Sequence, residues 1–127
     1  MFNSMAGRCG RDDAETIDEM TRRFVAAVDP LKVYIFGSFA SGTYTDDSDY
    51  DFYIVVDDSE NLYETNFECQ KSIFSILTRP VDIIVRHDSF FSEYGPLPAT
   101  LFVEGDVYRK GILLYEKEKT LDERITA

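Results

Sequence analysis

Apolar positions along the chain alternate between helical and strand spacing. Ile17, Met20, Phe24 and Ala27 or Val28 recur every three or four residues and predict an amphipathic helix over residues 13–28, with Asp12 and Glu15 spaced as a capping box and Pro30 ending it. Lys32 to Phe36 (K-V-Y-I-F) is β-branched and aromatic and reads as a buried strand. Residues 38–41 follow as a short helix or turn, and residues 42–47 as a polar loop. Tyr50 to Val56 (Y-D-F-Y-I-V-V) is the second strand, and Asp57-Asp58-Ser59 reads as the cap of a helix from about residue 60 to 77. Tyr63, Phe67, Gln70, Phe74 and Leu77 share one face of that helix. Pro80 enters a third strand, Val81 to Val85, with Val81, Ile83 and Val85 on one face and Asp82 on the other. Asp88-Ser89 opens a turn holding Phe90 and Phe91, and Gly95-Pro96-Leu97-Pro98 is a break. A helix over residues 99–108 and a strand over 112–115 complete the pattern.

This order predicts an α+β (α/β) domain with a mixed sheet of about four strands and helices packed mainly on one side. Residues 1–11 are polar with two glycines and are expected to be a disordered N-terminus. Residues 12–116 form the folded domain, and 117–127 a charged C-terminal tail.

Composition narrows the function classes. The chain has 127 residues, 44% of them apolar, enough for a core of its own. Its net charge of −11 should repel nucleic acid, whose binding depends on Lys and Arg neutralising phosphates. A partner of the long nucleic-acid type is therefore not expected. Membrane attachment is not expected either, since no run approaches the roughly 18 apolar residues of a span and the basic residues are scattered. Cys9 and Cys69 lie far apart without metal-ligand spacing and read as free thiols, so the cytoplasm is the default location.

Candidate chemistry sits where the first strand gives way to the second. Gly37-Ser38 follows the first strand as a turn able to aim backbone N–H groups at an anion. Asp49 and Asp51 lie two apart where the second strand begins, so both carboxylates emerge on one face, where they can grip a hard cation.

Gly-Ser, ten intervening residues and Asp-x-Asp resemble the signature of the polymerase-β-like nucleotidyltransferases, and in so short a chain the minimal nucleotidyltransferase (MNT) branch. Asp82 matches that family's third carboxylate on a following strand. The resemblance implies the polymerase-β-like nucleotidyltransferase fold and a Mg²⁺-dependent enzyme (Mn²⁺ as an alternative) with ATP as nucleotide substrate. Asp49, Asp51 and Asp82 would be its metal ligands and catalytic residues, with Asp82 nearest the acceptor hydroxyl and a candidate general base. Gly37 and Ser38 would hold the departing phosphates. It further implies transfer of AMP to a protein hydroxyl, as by MNT antitoxins that modify a HEPN-domain toxin. Nucleotidylation of a small molecule such as an aminoglycoside, and a non-catalytic antitoxin acting by binding alone, are the alternatives. Many relatives carry an arginine soon after Gly-Ser, where this chain has Phe39 and Ser41. A cation for the triphosphate would then come from Lys32, Lys71, Arg79 or Arg86. His87, the single histidine, reads as exposed loop.

Overall fold

The computed structural model describes residues 1–98 and 101–119. In chain order the elements are α1 (Arg11–Val28), β1 (Lys32–Phe36), α2 (Ser38–Ser41), β2 (Tyr50–Val56), α3 (Leu62–Ile73) with a 3-10 turn at Phe74–Ile76, β3 (Val81–His87), α4 (Asp88–Tyr94), α5 (Val103–Lys110) and β4 (Ile112–Glu116). The four strands form one sheet in the order β3-β2-β1-β4. β1 runs antiparallel to both neighbours, whereas β2 and β3 are parallel because α3 carries the chain back across the sheet. The expected mixed sheet and α+β class are thus present. The start of the helix expected over 99–108, and the tail beyond 119, lie outside the described residues.

Side-chain alternation along β2 divides the sheet into two unequal faces. Tyr50, Phe52, Ile54 and Val56 point toward α1 and α3 and join Ile17, Met20, Phe24, Cys69 and Ile73 in the main core. Tyr53 and Val55 point the other way into a smaller cluster with Phe91 of α4 and Val107 of α5. The main core therefore lies on one side, and two short helices cover part of the other. Both cysteines are free, with Cys69 buried. Among the described residues no helix is long and apolar enough to cross a membrane.

Three sequence expectations change. The N-terminal stretch does not fray: Phe2 bridges Tyr115 in antiparallel fashion, the Asn3 N–H donates to the Leu114 carbonyl at 2.8 Å, and Met5 is fully buried. The Met5 N–H also donates to Asp18, and the Asn3 amide to the Leu113 carbonyl, so α1 and β4 both hold the stretch. The capping box does not form, since α1 starts at Arg11 after Gly10 and no side chain caps it. Asn61, not Asp57 to Ser59, caps α3, by accepting from the Glu64 N–H.

Candidate active site

Strand register assembles the site. On the face opposite the main core, Asp51 has Phe36 of β1 as its partner on one side and Asp82 of β3 on the other. These three residues form a row across three strands, where β1 ends and β2 and β3 begin. Asp49 precedes β2 by one residue at the same end. The next row, Tyr34, Tyr53 and Ile84, lies under Phe91, but Asp51 is only half-buried and Asp82 is exposed. One end of the sheet thus presents carboxylates to solvent while the remainder of that face is roofed.

Gly37 closes the other side of Asp51. Its backbone takes φ 69° and ψ −148°, a combination open essentially to glycine alone. A Cβ built there would collide with the Asp51 carboxylate. The chain therefore crosses Asp51 at a distance that no side chain permits. It then enters α2, whose first N–H groups, those of Ser38 and Phe39, have no acceptor within the helix. Gly42, also at positive φ, ends that turn, and the Thr43 N–H bonds back to the Ser38 carbonyl at 3.0 Å.

The electrostatics of this row are unbalanced. Burial, the charge and hydrogen bond of Asp82, and the charge of Asp49 push the Asp51 carboxyl up to about 6. Among the described residues, no Lys or Arg forms an ion pair with Asp49, Asp51 or Asp82. Nor does any group of three His, Cys, Asp or Glu side chains among them make a ready metal cage. The donor set nevertheless suits Mg²⁺, which prefers oxygen and usually takes only one or two carboxylates, leaving its other positions to substrate phosphates and water.

On the opposite face, Arg79 organises the loop that leads to Asp49. Its guanidinium donates to both Asp13 oxygens, Nε at 2.9 Å and a terminal nitrogen at 3.2 Å. The other terminal nitrogen donates to the carbonyls of Thr45, Asp46 and Ser48 at 2.8, 3.0 and 3.1 Å. The same group stacks over Phe39 and Tyr50, and the Tyr50 hydroxyl donates to Asp13. Burial works against ionisation of Asp13, but Arg79 and Tyr50 outweigh it and hold its carboxyl below the usual range. Arg79 is thus a loop latch.

The other cations suggested for the triphosphate lie elsewhere. Lys32 starts β1, away from the carboxylate row, and pairs with Glu116 at 3.8 Å. Lys71 sits on α3 with Glu68 at 3.1 Å. Arg86 lies four residues along β3 from Asp82 and pairs with Glu104 at 3.6 Å. His87 ends β3, its Nε2 2.7 Å from the Glu60 carbonyl. A cavity of about 810 Å³ is also at that far end, between Lys32, Asp57, Asp88 and Glu116. It is lined by charges of both signs and holds none of the motif residues.

Sequence reasoning missed Glu104. Although almost fully buried, it accepts from the Tyr53 hydroxyl at 2.7 Å and pairs with Arg86, so it supports the row directly beneath Asp51. Burial first, then Glu104, raise the Tyr53 hydroxyl well above its ordinary range. No local signal marks Glu104, because its helical segment resembles any amphipathic surface turn.

The family described as polymerase beta, nucleotidyltransferase matches residues 16–94, which include the Gly-Ser turn and all three carboxylates. Comparison with curated proteins gives no match. Among solved structures, a Sulfolobus solfataricus protein described as a nucleotidyltransferase is similar at 25% identity over 83% of this chain and 81% of its own, with TM-score 0.51. A toxin-antitoxin structure with AMP-PNP is similar at 19% identity, covering 85% of this chain and 78% of that one, with TM-score 0.54. A mutant of the toxin-antitoxin MntA-HpeT is similar at 18% identity over 87% and 77%, with TM-score 0.52. The last two share the fold.

Proposed function

The chain belongs to the polymerase-β-like nucleotidyltransferase family, and from that premise we propose that it moves AMP from ATP to a hydroxyl of a partner protein, as the antitoxin that neutralises a HEPN toxin. The observation that carries the catalytic half of this reading is the row at the sheet end, where the Gly37 turn abuts Asp51 and Asp51 adjoins Asp82, with no ion pair to a Lys or Arg among the described residues. The likeness to toxin-antitoxin structures supports the antitoxin half, and the exposure of Asp82 suits an acceptor hydroxyl delivered on a macromolecule.

In this reaction the acceptor oxygen attacks the α-phosphorus of ATP, the bond from that phosphorus to the bridging oxygen breaks, and pyrophosphate leaves. Asp49 and Asp51 would hold Mg²⁺, which supplies charge stabilisation for the attacking and leaving oxygens. Asp82 takes the proton of the acceptor hydroxyl, being the exposed member of the row and hence the one an acceptor reaches first. The Ser38 and Phe39 N–H groups and the Ser38 hydroxyl bind phosphate oxygens, and Gly37 lets them approach. Arg79 keeps the 45–48 loop, and so Asp49, in place.

The test is intact-mass analysis of the product of the neighbouring reading frame after incubation with ATP, Mg²⁺ and this chain. A gain of one or more AMP units, absent without Mg²⁺, is expected. An unchanged mass with a properly folded pair would refute the transfer.

A further inference from the structure

The helix α3 buries the face that its aromatic residues do not occupy. Leu62, Thr65, Cys69 and Ile73 turn inward, whereas Tyr63, Phe67, Phe74 and Leu77, expected from their spacing to share a face, are 84%, 58%, 77% and 47% exposed. Tyr63 and Phe67 lie on α3, Phe74 opens the 3-10 turn that continues it and Leu77 follows that turn, so exposed apolar side chains recur along the element as an interrupted ridge, with Gln70 between Phe67 and Phe74. α3 itself packs on α1 and β3, and among the described residues no other element makes extensive contact with it. An apolar strip this long and aromatic, rimmed by charge, is typical of a surface meant to be covered.

We propose that this ridge docks a basic helical surface of the acceptor protein, an inference that rests on the reading of the chain as a protein-directed transferase. Charge selects the occupant. Glu64 and Glu68 lie on α3 and Glu60 just before it, with Lys71 the one basic residue of the helix, on a chain of net charge −11. A second copy would bring the same charges into register, and a nucleic acid or anionic lipid would be repelled. The strip favours cations beside its rings: the chain's own Lys71 Nζ lies 5.5 Å from the Phe67 ring centroid while bonded to Glu68 at 3.1 Å. Anchors at four- and seven-residue intervals match the contact pattern of one helix laid along another. Position fits too. The ridge ends at Leu77, five residues before Asp82, so its last anchor is within about 18 Å of the proposed general base. α3 covers the face opposite the carboxylate row, so a partner seated on the ridge has to reach the carboxylates around the end of the sheet where β2 and β3 begin.

The experiment compares binding of the purified product of the neighbouring reading frame to wild type, to Phe67→Ala/Phe74→Ala and to Asp49→Asn/Asp51→Asn, at two salt concentrations, with sedimentation of each protein alone and the mass readout alongside. The ridge variant should keep its melting temperature, since both rings are solvent-exposed, yet bind about thirtyfold more weakly or worse. The carboxylate variant should bind like wild type, and wild-type affinity should drop with salt. Equal binding by the ridge variant, salt-independent binding or no binding by wild type would overturn the proposal. A wild-type dimer that the ridge substitutions split would overturn it in favour of a second copy. Ridge-dependent binding without any AMP transfer would sink the activity and leave the docking site standing, whereas undiminished transfer by the ridge variant would do the reverse.

Discussion

Two carboxylates on opposite faces of the sheet, Asp13 and Asp51, meet opposite treatment. Asp13 receives a two-pronged guanidinium from Arg79 and a hydroxyl from Tyr50, and its acidity rises. Asp51 pairs with no basic side chain among the described residues, faces two further aspartates, and its carboxyl is pushed up to about 6. Where the fold needs a carboxylate for structure, it supplies the cation itself. The Asp51 row lacks that compensation and costs stability, which is understandable if a cation arrives from solution with the substrate.

The contrast can be broken most forcefully at the open row. Asp49→Asn/Asp51→Asn should reduce transfer by about three orders of magnitude, since several kcal/mol of charge stabilisation is lost. Its metal-free melting temperature should stay level or rise as like charges disappear. A folded double variant with wild-type turnover would show that the row is not the site.

Arg79→Ala should come next. Removing one partner of a largely buried pair leaves Asp13 charged and uncompensated, at a cost of about 3 kcal/mol in urea unfolding, and it frees the three loop carbonyls. Arg79→Lys should recover only part of this, because an ammonium cannot reproduce the fork. If Arg79→Ala leaves stability unchanged but abolishes ATP binding, Arg79 is a nucleotide contact and the latch is wrong.

Gly37→Ala should cost about 2 kcal/mol, combining a strained positive φ with a clash against Asp51. Turnover should fall further than stability alone explains, because Asp51 must move aside. A neutral outcome in both would contradict the close approach.

The contrast extends to pH dependence, and the two carboxylates should show it with opposite signs. Asp13, its carboxyl lowered below 3.8, adds stability that is fully present above that pH and lost as pH falls through its folded value. Asp51, raised from 3.8 to about 6, adds a cost that is absent below about pH 4 and complete above about pH 6. Against Asp51→Asn, metal-free wild type should therefore lose stability as pH rises through that window. A parallel profile for the two proteins would mean that Asp51 is not perturbed.

Much of the site was legible because its signals are local. A strand period of two turns Asp51 and Asp82 to one face, away from Tyr50 and Val81, while Asp49 falls one residue before β2. Two hydrophobic runs of the right length then make the parallel pair that joins them. The α3 ridge defeated the same logic: Tyr63, Phe67, Phe74 and Leu77 have helical spacing, but so do Leu62, Cys69 and Ile73, and periodicity alone does not say which stripe turns inward. The decision is made by contacts remote in sequence, such as Arg23 of α1 donating to the Ser72 carbonyl at 3.3 Å. Arg79 was equally opaque, since its partner Asp13 lies 66 residues away. Met5 and Asn3 were misjudged for the same reason, their ordering depending on Asp18 and on β4.

The measurement that tests the central claim most directly is the melting temperature of wild type and Asp49→Asn/Asp51→Asn with Mg²⁺, and with Mg²⁺ plus ATP, at matched ionic strength. A ligand that binds only the folded row stabilises it by about 2.7 kcal/mol at a hundredfold excess over Kd. The account predicts a rise for wild type with Mg²⁺, a larger one with ATP added, and little response from the variant. The same rise in both proteins would contradict it.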